Sequence, residues 1–265
     1  MSGTIKIPTL PVAQVRAMGL ISNPDPTFKE LGEVVDADPA LTAALLRVAN
    51  SAASSPVSRV STARTAMVRI GADESRRLIM SVAVASSFGT LGVSGIDEGE
   101  LWRHLIATAL LADATAWGDI RQSEAFTAGI LHDIGRLAMA AQEPVRYGEV
   151  VERARAGEPT GLAERAVFGL NHAEWGASIA RSWGFPDEIA EAIAHHHTAE
   201  QHGLAWAVTR ARELAASLGI GDGVTPAVPP DPDSEAALMP VIDELGGAPA
   251  VLDRVDRYSR ALRAA

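Results

Sequence analysis

Cysteine is absent from this 265-residue chain, which excludes a disulfide framework and any thiolate metal site. A metal, if one is used, has to be held by imidazole and carboxylate. Positive charge is also scarce: 33 acidic residues outnumber 23 basic ones for a formal charge of −10, and no Lys/Arg-rich block with interleaved aromatics occurs. Nucleic acid is therefore not an expected partner. The N-terminal stretch MSGTIKIPTL has no apolar h-region, and no run approaches about 20 uninterrupted apolar residues. No membrane association is expected, and the cytoplasm is the default compartment. Missing too are a glycine-rich phosphate loop after a strand, a Ser-His-Asp arrangement and an internal repeat of fixed period.

Strand-period alternation is almost absent, whereas apolar residues recur every three and four positions through Ala-, Leu-, Arg- and Glu-rich sequence. The expected fold is all-α, and 47% hydrophobic content is enough for a sizeable core. Thr27 with Glu30 forms a capping-box pattern, Asp38-Pro39 an N-cap followed by Pro at the first helical position, and Asn171 with Glu174 a second box. Gly71, Gly118 and Gly184 close apolar runs. These signals place helices near 11–21, 27–36, 39–51, 61–70, 74–90, 98–117, 124–140, 145–156, 161–169, 172–183, 187–197 and 203–218, with two short helices after them.

The loop LGVSGIDEG at 91–99 reads as the seam between lobes, giving an N-terminal helical lobe over 1–93 and a second helical lobe over 94–218. Residues 219–265 form a tail in which GDGVTPAVPPDPDS reads as an exposed loop. In the last helix, Val251, Val255, Tyr258 and Leu262 make one stripe, suited to core docking or to a contact with another chain. Asn50 in ANSAASSPVSRV suits a cap or a bond to backbone, and Arg47, Arg76 and Arg77 suit a solvated helix face.

Candidate chemistry centres on GILHDIGRL at 129–137, a His-Asp pair inside an apolar helix-like run. A desolvated carboxylate needs a partner, so the pair is either satisfied by protein groups or holds a metal. His104, His132 with Asp133, His172, and His196 with His197 occupy four separate helices with apolar flanks, and could converge on one interior site. His195 adjoins them in sequence, and His202 falls in a turn.

His104, LHDIGR and NHAEWGASIARSWGFPDEIAEAIAHHH together resemble the HD superfamily of metal-dependent phosphohydrolases, particularly its HD-GYP-like branch. The segments DPALTAALLRVANSA and GILHDIGRLAM, with IPTLPVAQVRAMGLISNPDPTFKELGEVV before them, resemble the HDOD domain, an output domain of bacterial signalling proteins, over roughly residues 8–218. The resemblance implies an N-terminal helical lobe packed on an HD-like lobe. It makes His104, His132, Asp133, His172, His196 and His197 the metal-ligand positions for one divalent transition metal (Fe, Mn or Zn), and Arg136 a phosphate-binding position where HD-GYP proteins carry Lys.

The closing Asp of the family pattern does not carry over: Arg212 stands there in TRARELAAS, and the adjacent Glu213 would point elsewhere. Arg in that place opposes metal binding. The glycine-tyrosine-proline signature is missing as well. The implied function is a non-catalytic regulatory output module with a degenerate metal site. Its expected partner is a signalling protein met in trans, with a nucleotide ligand or a second copy of the chain as further candidates. The competing reading is a metal-dependent phosphohydrolase acting on a nucleotide or cyclic dinucleotide. If no metal is held, Asp133 is expected to satisfy His104 or Arg212 in a buried polar network.

Overall fold

The computed structural model describes residues 6–8, 19, 26–51, 59–89, 91–116, 118–198 and 202–262. Among them there is no strand, and the expected helical architecture is what forms. Most of the helix expected over 11–21 lies outside the described residues.

The chain divides into two units. The smaller takes the described part of Thr9–Ser87 together with Asp256–Ala265. It holds α1 (Phe28–Asp36), α2 (Pro39–Ala49), α3 (Ala63–Ile70) and α4 (Ala72–Ser86). Helix α1 begins at a complete capping box, Thr27 and Glu30 exchanging side-chain bonds with each other's backbone N–H. Helix α2 begins at Asp38, whose carboxylate accepts from Ala40 N, with Pro39 at the first helical position. Asn50 ends α2 and clasps the following segment, donating to Val60 O and accepting from Val60 N, both at 2.9 Å. Arg47, expected on a solvated face, is half-buried and donates to Ala261 O at 2.6 Å. Arg77 is likewise more enclosed than expected and pairs with Glu74 at 3.6 Å. Apolar stems of this length pack along a helix while the charged head finds a partner.

The larger unit takes residues 6–8 and Phe88–Val255. Its centre is α5 (Glu98–Thr115), an 18-residue helix in which every residue from Leu101 to Asp113 except Arg103 is buried. Around it lie α6 (Gln122–Leu131), α7 (Ile134–Gln142), α8 (Pro144–Arg155), α9 (Thr160–Phe168), α10 (His172–Ser182), α11 (Asp187–His195) and α12 (Gly203–Ser217). Helices α6 and α12 pack on α5, and α10 packs on α7 and α11. Helix α10 starts at the Asn171/Glu174 capping box.

Two expectations about local structure are corrected. The continuous helix expected over 124–140 is broken at His132-Asp133, where Asp133 leaves helical geometry (φ −103°, ψ 18°). The cause is local: the His132 imidazole donates from Nδ1 to Gly129 O at 2.7 Å, filling a carbonyl at the end of α6. The tail is also not simply exposed. Ile220, Gly221, Gly223 and Val224 are buried, and Asp222 turns inward. The two closing helices, α13 (Pro232–Glu244) and α14 (Ala248–Leu262), are longer than the short pieces expected. Val251, Val255, Tyr258 and Leu262 of α14 are buried within the chain. Residues up to Val255 group with the larger unit and those from Asp256 with the smaller.

Close helix crossings set the position of the site. A Cβ on Gly129 would lie 2.6 Å from Ala109 Cα, so α6 lies backbone to backbone on α5. A Cβ on Gly135 would lie 2.0 Å from His172 O and 2.7 Å from Gly176 N, so α7 presses against the first turn of α10. Gly129 and Gly135 bracket the His-Asp pair, which is carried into the interior by both crossings.

Candidate metal centre

His104, His132, Asp133, His172 and His196 are all buried, and their side chains meet in the larger unit. His197 joins them from an exposed position, while His195 points out to Glu191 and His202 is exposed. Asp133 is the hub. Its Oδ1 lies 3.2 Å from His172 Nε2 and 3.5 Å from His196 Nε2. Its Oδ2 lies 3.2 Å from Arg136 Nη1, 3.5 Å from His132 Nε2 and 3.9 Å from His104 Nε2. Two overlapping donor sets result, one of His104, His132 and Asp133, the other of Asp133, His172, His196 and His197. Within each, one ligand atom per residue lies within 4.8 Å of every other.

The local structure fixes how these rings present themselves. His132 follows the last residue of α6 and His196 the last residue of α11, and each bonds through Nδ1 to the carbonyl three residues back, Gly129 O and Ile193 O, both at 2.7 Å. A helix end leaves such carbonyls unmatched, and in both cases the imidazole N–H fills one. The Nδ1 of His172 meets Glu164 Oε2 at 2.5 Å. In all three rings the proton is therefore on Nδ1 and the Nε2 lone pair faces the cluster, the arrangement that metal-binding histidines adopt when an outer acceptor orients them.

The fit to a cation can be judged from what remains unmatched. Both Asp133 oxygens and His196 Nε2 are buried without a hydrogen bond, although charged or ring nitrogens stand 3.2–3.5 Å away. The distances are short but the angles are not those of hydrogen bonds, as expected when lone pairs aim at a common third point. Several neutral imidazoles and one carboxylate are a suitable set for one divalent transition metal. They fit one ion well and two poorly, because Asp133 is the only carboxylate in either set.

Charge around the hub is organised by groups that the sequence did not single out. Glu164 is fully buried and accepts from Tyr147 Oη at 2.7 Å, from His172 N at 2.8 Å and from His172 Nδ1. Asp222 pairs with Arg136 at 3.0 Å and accepts from Val224 N and Thr225 N in an Asx turn. Its GDGVT context signals a turn, but the arginine it meets is 86 positions away. Glu164 stands eight positions before His172 in GLAERAVF, next to Arg165, and nothing in that stretch signals its burial. Arg136, with the sequence suggesting a phosphate contact, is 1% exposed and commits its Nη1 to Asp133, Asp222 Oδ2 and Asp222 O. It leaves no open fork for a phosphate at the surface.

Burial opposes ionisation of Asp133, yet Arg136, then His132 and His172, hold its carboxyl well below the usual carboxylate range. Burial pushes the His104 imidazole down to about 4 and holds His132 and His196 well below their ordinary value. Burial also opposes a charged Asp222, but Arg136 and the Asx-turn amides bring it down to about 2. In the protein without metal, His104, His132 and His196 are thus neutral imidazoles beside a charged, arginine-paired carboxylate.

Arg212 is present at the site but does not meet Asp133 as an ion pair. It donates through Nη1 to His197 Nδ1 at 3.2 Å and reaches His196 O at 3.4 Å, while its Nε is buried without a partner. Glu213 turns away to Arg210 at 2.7 Å. Nearest to Asp133 are Arg136 and His172 at 3.2 Å, with His104, one of the two partners expected for it, at 3.9 Å and Arg212 turned to His197 instead.

The HDOD domain profile matches residues 7–199 of this chain. The chain belongs to the HDOD family. A solved HDOD domain protein of unknown function from Geobacter sulfurreducens aligns over 96% of this chain and 93% of its own with a TM-score of 0.75 at 23% identity. A candidate phosphohydrolase from Shewanella amazonensis SB2B aligns over 96% and 94% with a TM-score of 0.71 at 27% identity. A candidate signal transduction protein from Marinobacter aquaeolei VT8 aligns over 98% and 59% with a TM-score of 0.70 at 24% identity. Among curated sequences, an uncharacterized protein of Treponema pallidum (strain Nichols) is 26% identical over 195 residues, 72% of this chain. The chain spans 37% of the length of that relative. No helix among its described residues is long and apolar enough to cross a membrane.

Proposed function

We propose that this HDOD chain is a non-catalytic regulatory module that keeps the shell of an HD metal site with room for one divalent ion, and that it acts by binding a signalling protein in trans. The observation that carries this reading is Arg212, whose guanidinium sits on His197 where the family pattern expects a carboxylate ligand. A two-metal hydrolytic site needs anionic ligands to hold two cations close together. Here Asp133 is the one carboxylate in the donor sets, and it is already paired with Arg136. Neutral imidazoles complete the set and add no negative charge. Arg136 is enclosed, so it is not placed to stabilise charge on a bound phosphate.

The alternative is hydrolysis of a phosphodiester or nucleotide, favoured by the retention of all six ligand positions from His104 to His197 and by the likeness to the Shewanella amazonensis protein. If one ion were held, it would supply Lewis acidity to a bound water, and Glu164 would keep His172 oriented toward it. The test is incubation with Mn²⁺ or Fe²⁺ and, in turn, cyclic dinucleotides, nucleoside triphosphates and an aryl phosphodiester. The expected result is no turnover above that of His132→Ala. Turnover that His132→Ala abolishes would overturn the regulatory reading and establish the hydrolase.

A further inference from the structure

We infer that Arg212 closes one half of the donor cluster to metal by fixing the tautomer of His197, so that a divalent cation binds to the half formed by His104, His132 and Asp133. The inference rests on the one-ion reading above and specifies which half takes the ion and why.

A guanidinium offers donors only. The 3.2 Å contact between Arg212 Nη1 and His197 Nδ1 therefore makes that ring nitrogen the acceptor. The proton of the neutral His197 ring is then on Nε2, which faces His172 Nε2 at 2.8 Å. His172 can accept it, because its own ring proton is given to Glu164 through Nδ1. Tyr147 supplies its hydroxyl to the other oxygen of Glu164. The path from Arg212 through His197 and His172 to Glu164 is thus matched, donor to acceptor, at every step.

A cation binding through His197 Nε2 would undo this match. Its arrival would displace the proton on that atom, and a neutral ring would then carry its proton on Nδ1, facing the guanidinium N–H 3.2 Å away. Two donors would oppose each other beside two positive charges. Arg212 has little room to withdraw, since it also holds His196 O and its Nε is already buried.

The other half lacks such a lock. His132 gives Nδ1–H to Gly129 O and presents its lone pair to His104 Nε2 at 3.1 Å. With the His132 proton on Nδ1, the proton between the two Nε2 atoms belongs to His104, whose Nδ1 is buried with no donor facing it. A cation can therefore replace that proton while the His104 ring takes its proton at Nδ1 unopposed, with Asp133 Oδ2 beside the pair at 3.5 and 3.9 Å.

The tautomer is read directly in the metal-free full chain from long-range ¹H–¹⁵N correlations of the imidazoles, with His197 expected to be protonated at Nε2. Cobalt(II) is then titrated, followed by visible absorption and calorimetry. The wild type is expected to take one ion per chain. Arg212→Met is expected to take a second, bound at least about tenfold tighter than any second ion in the wild type. If the Met variant does not fold, Arg212→Gln serves, because its amide oxygen can accept from His197 Nδ1–H and so permits ligation. A wild-type His197 protonated at Nδ1, a wild type that takes two ions or none, or Arg212 variants that still take only one would each overturn the inference. Phosphodiester turnover by the wild type would overturn the regulatory reading while leaving the tautomer measurement to stand or fall separately.

Discussion

Replacing Gly135 by Ala tests whether the site depends on the crossing of α7 and α10. The added Cβ would lie 2.0 Å from His172 O and 2.7 Å from Gly176 N. Both are backbone atoms, so no side-chain rotation relieves the overlap. The helices would have to separate until the nearer contact reached about 3.4 Å, where Cβ contacts become ordinary. Overpacking of this kind costs about 1–3 kcal/mol, occasionally more, against a gain of at most about 1 kcal/mol from better helix propensity. We expect a net loss of about 2 kcal/mol, which in a chain of this size lowers Tm by roughly 4–8 °C. Gly135 lies two positions after Asp133, so separating the helices also shifts that ligand position, and cobalt(II) affinity should fall as well. The assay is thermal and urea unfolding followed by circular dichroism, with Gly148→Ala as the control. At Gly148 the nearest atom to an added Cβ is Val93 O at 3.7 Å, and that variant should be unchanged or more stable by up to about 1 kcal/mol. A Gly135→Ala protein as stable as Gly148→Ala would refute the crossing argument.

Three further outcomes are expected. Tyr147→Phe removes the 2.7 Å hydroxyl bond to the buried Glu164 and should cost about 1.5–3 kcal/mol in urea unfolding, as for a bond to a charged group. Stability of the metal-free protein should fall with acidification in two stages. His104 is lowered from 6.5 to about 4, so the unfolded chain takes up a proton that the folded one refuses, and about 3 kcal/mol is lost as pH falls from 6.5 to 4. Asp222, lowered from 3.8 to about 2, stabilises the fold above pH 3.8 and loses about 2 kcal/mol between there and pH 2. Unfolding free energies that are flat from pH 7 to pH 4 would contradict the burial of neutral His104. Finally, Asn50→Ala breaks both bonds to the Val60 backbone and should destabilise the smaller unit by about 1–3 kcal/mol, read as faster amide exchange in α2 and α3. Unchanged exchange there would show that the clasp is dispensable.

The helices and their starts were legible in the sequence because capping and periodicity are local: Thr27 with Glu30, Asp38-Pro39 and Asn171 with Glu174 each form within a few residues and behave as the pattern suggests. The candidate ligand positions from His104 to His197 were legible for another reason, since their spacing resembles a family pattern along the chain. What sequence could not supply were the groups whose partners are distant. Asp222 lies in a segment whose glycines and prolines read as exposed, and only the fold brings it 3.0 Å from Arg136. Arg136 looked like an open phosphate contact until burial committed it to two carboxylates. The break at His132-Asp133 depends on one ring nitrogen taking Gly129 O in place of continued helix, a choice between local bonds that periodicity does not register. The close approaches at Gly129 and Gly135 depend on which helix lies opposite. Sequence alone thus determined which segments become helices and which residue types are suited to a metal, because those follow from neighbours along the chain. Tertiary structure alone decided which nitrogen of each ring is free, because a tautomer is set by the acceptor or donor that folding places against its other side.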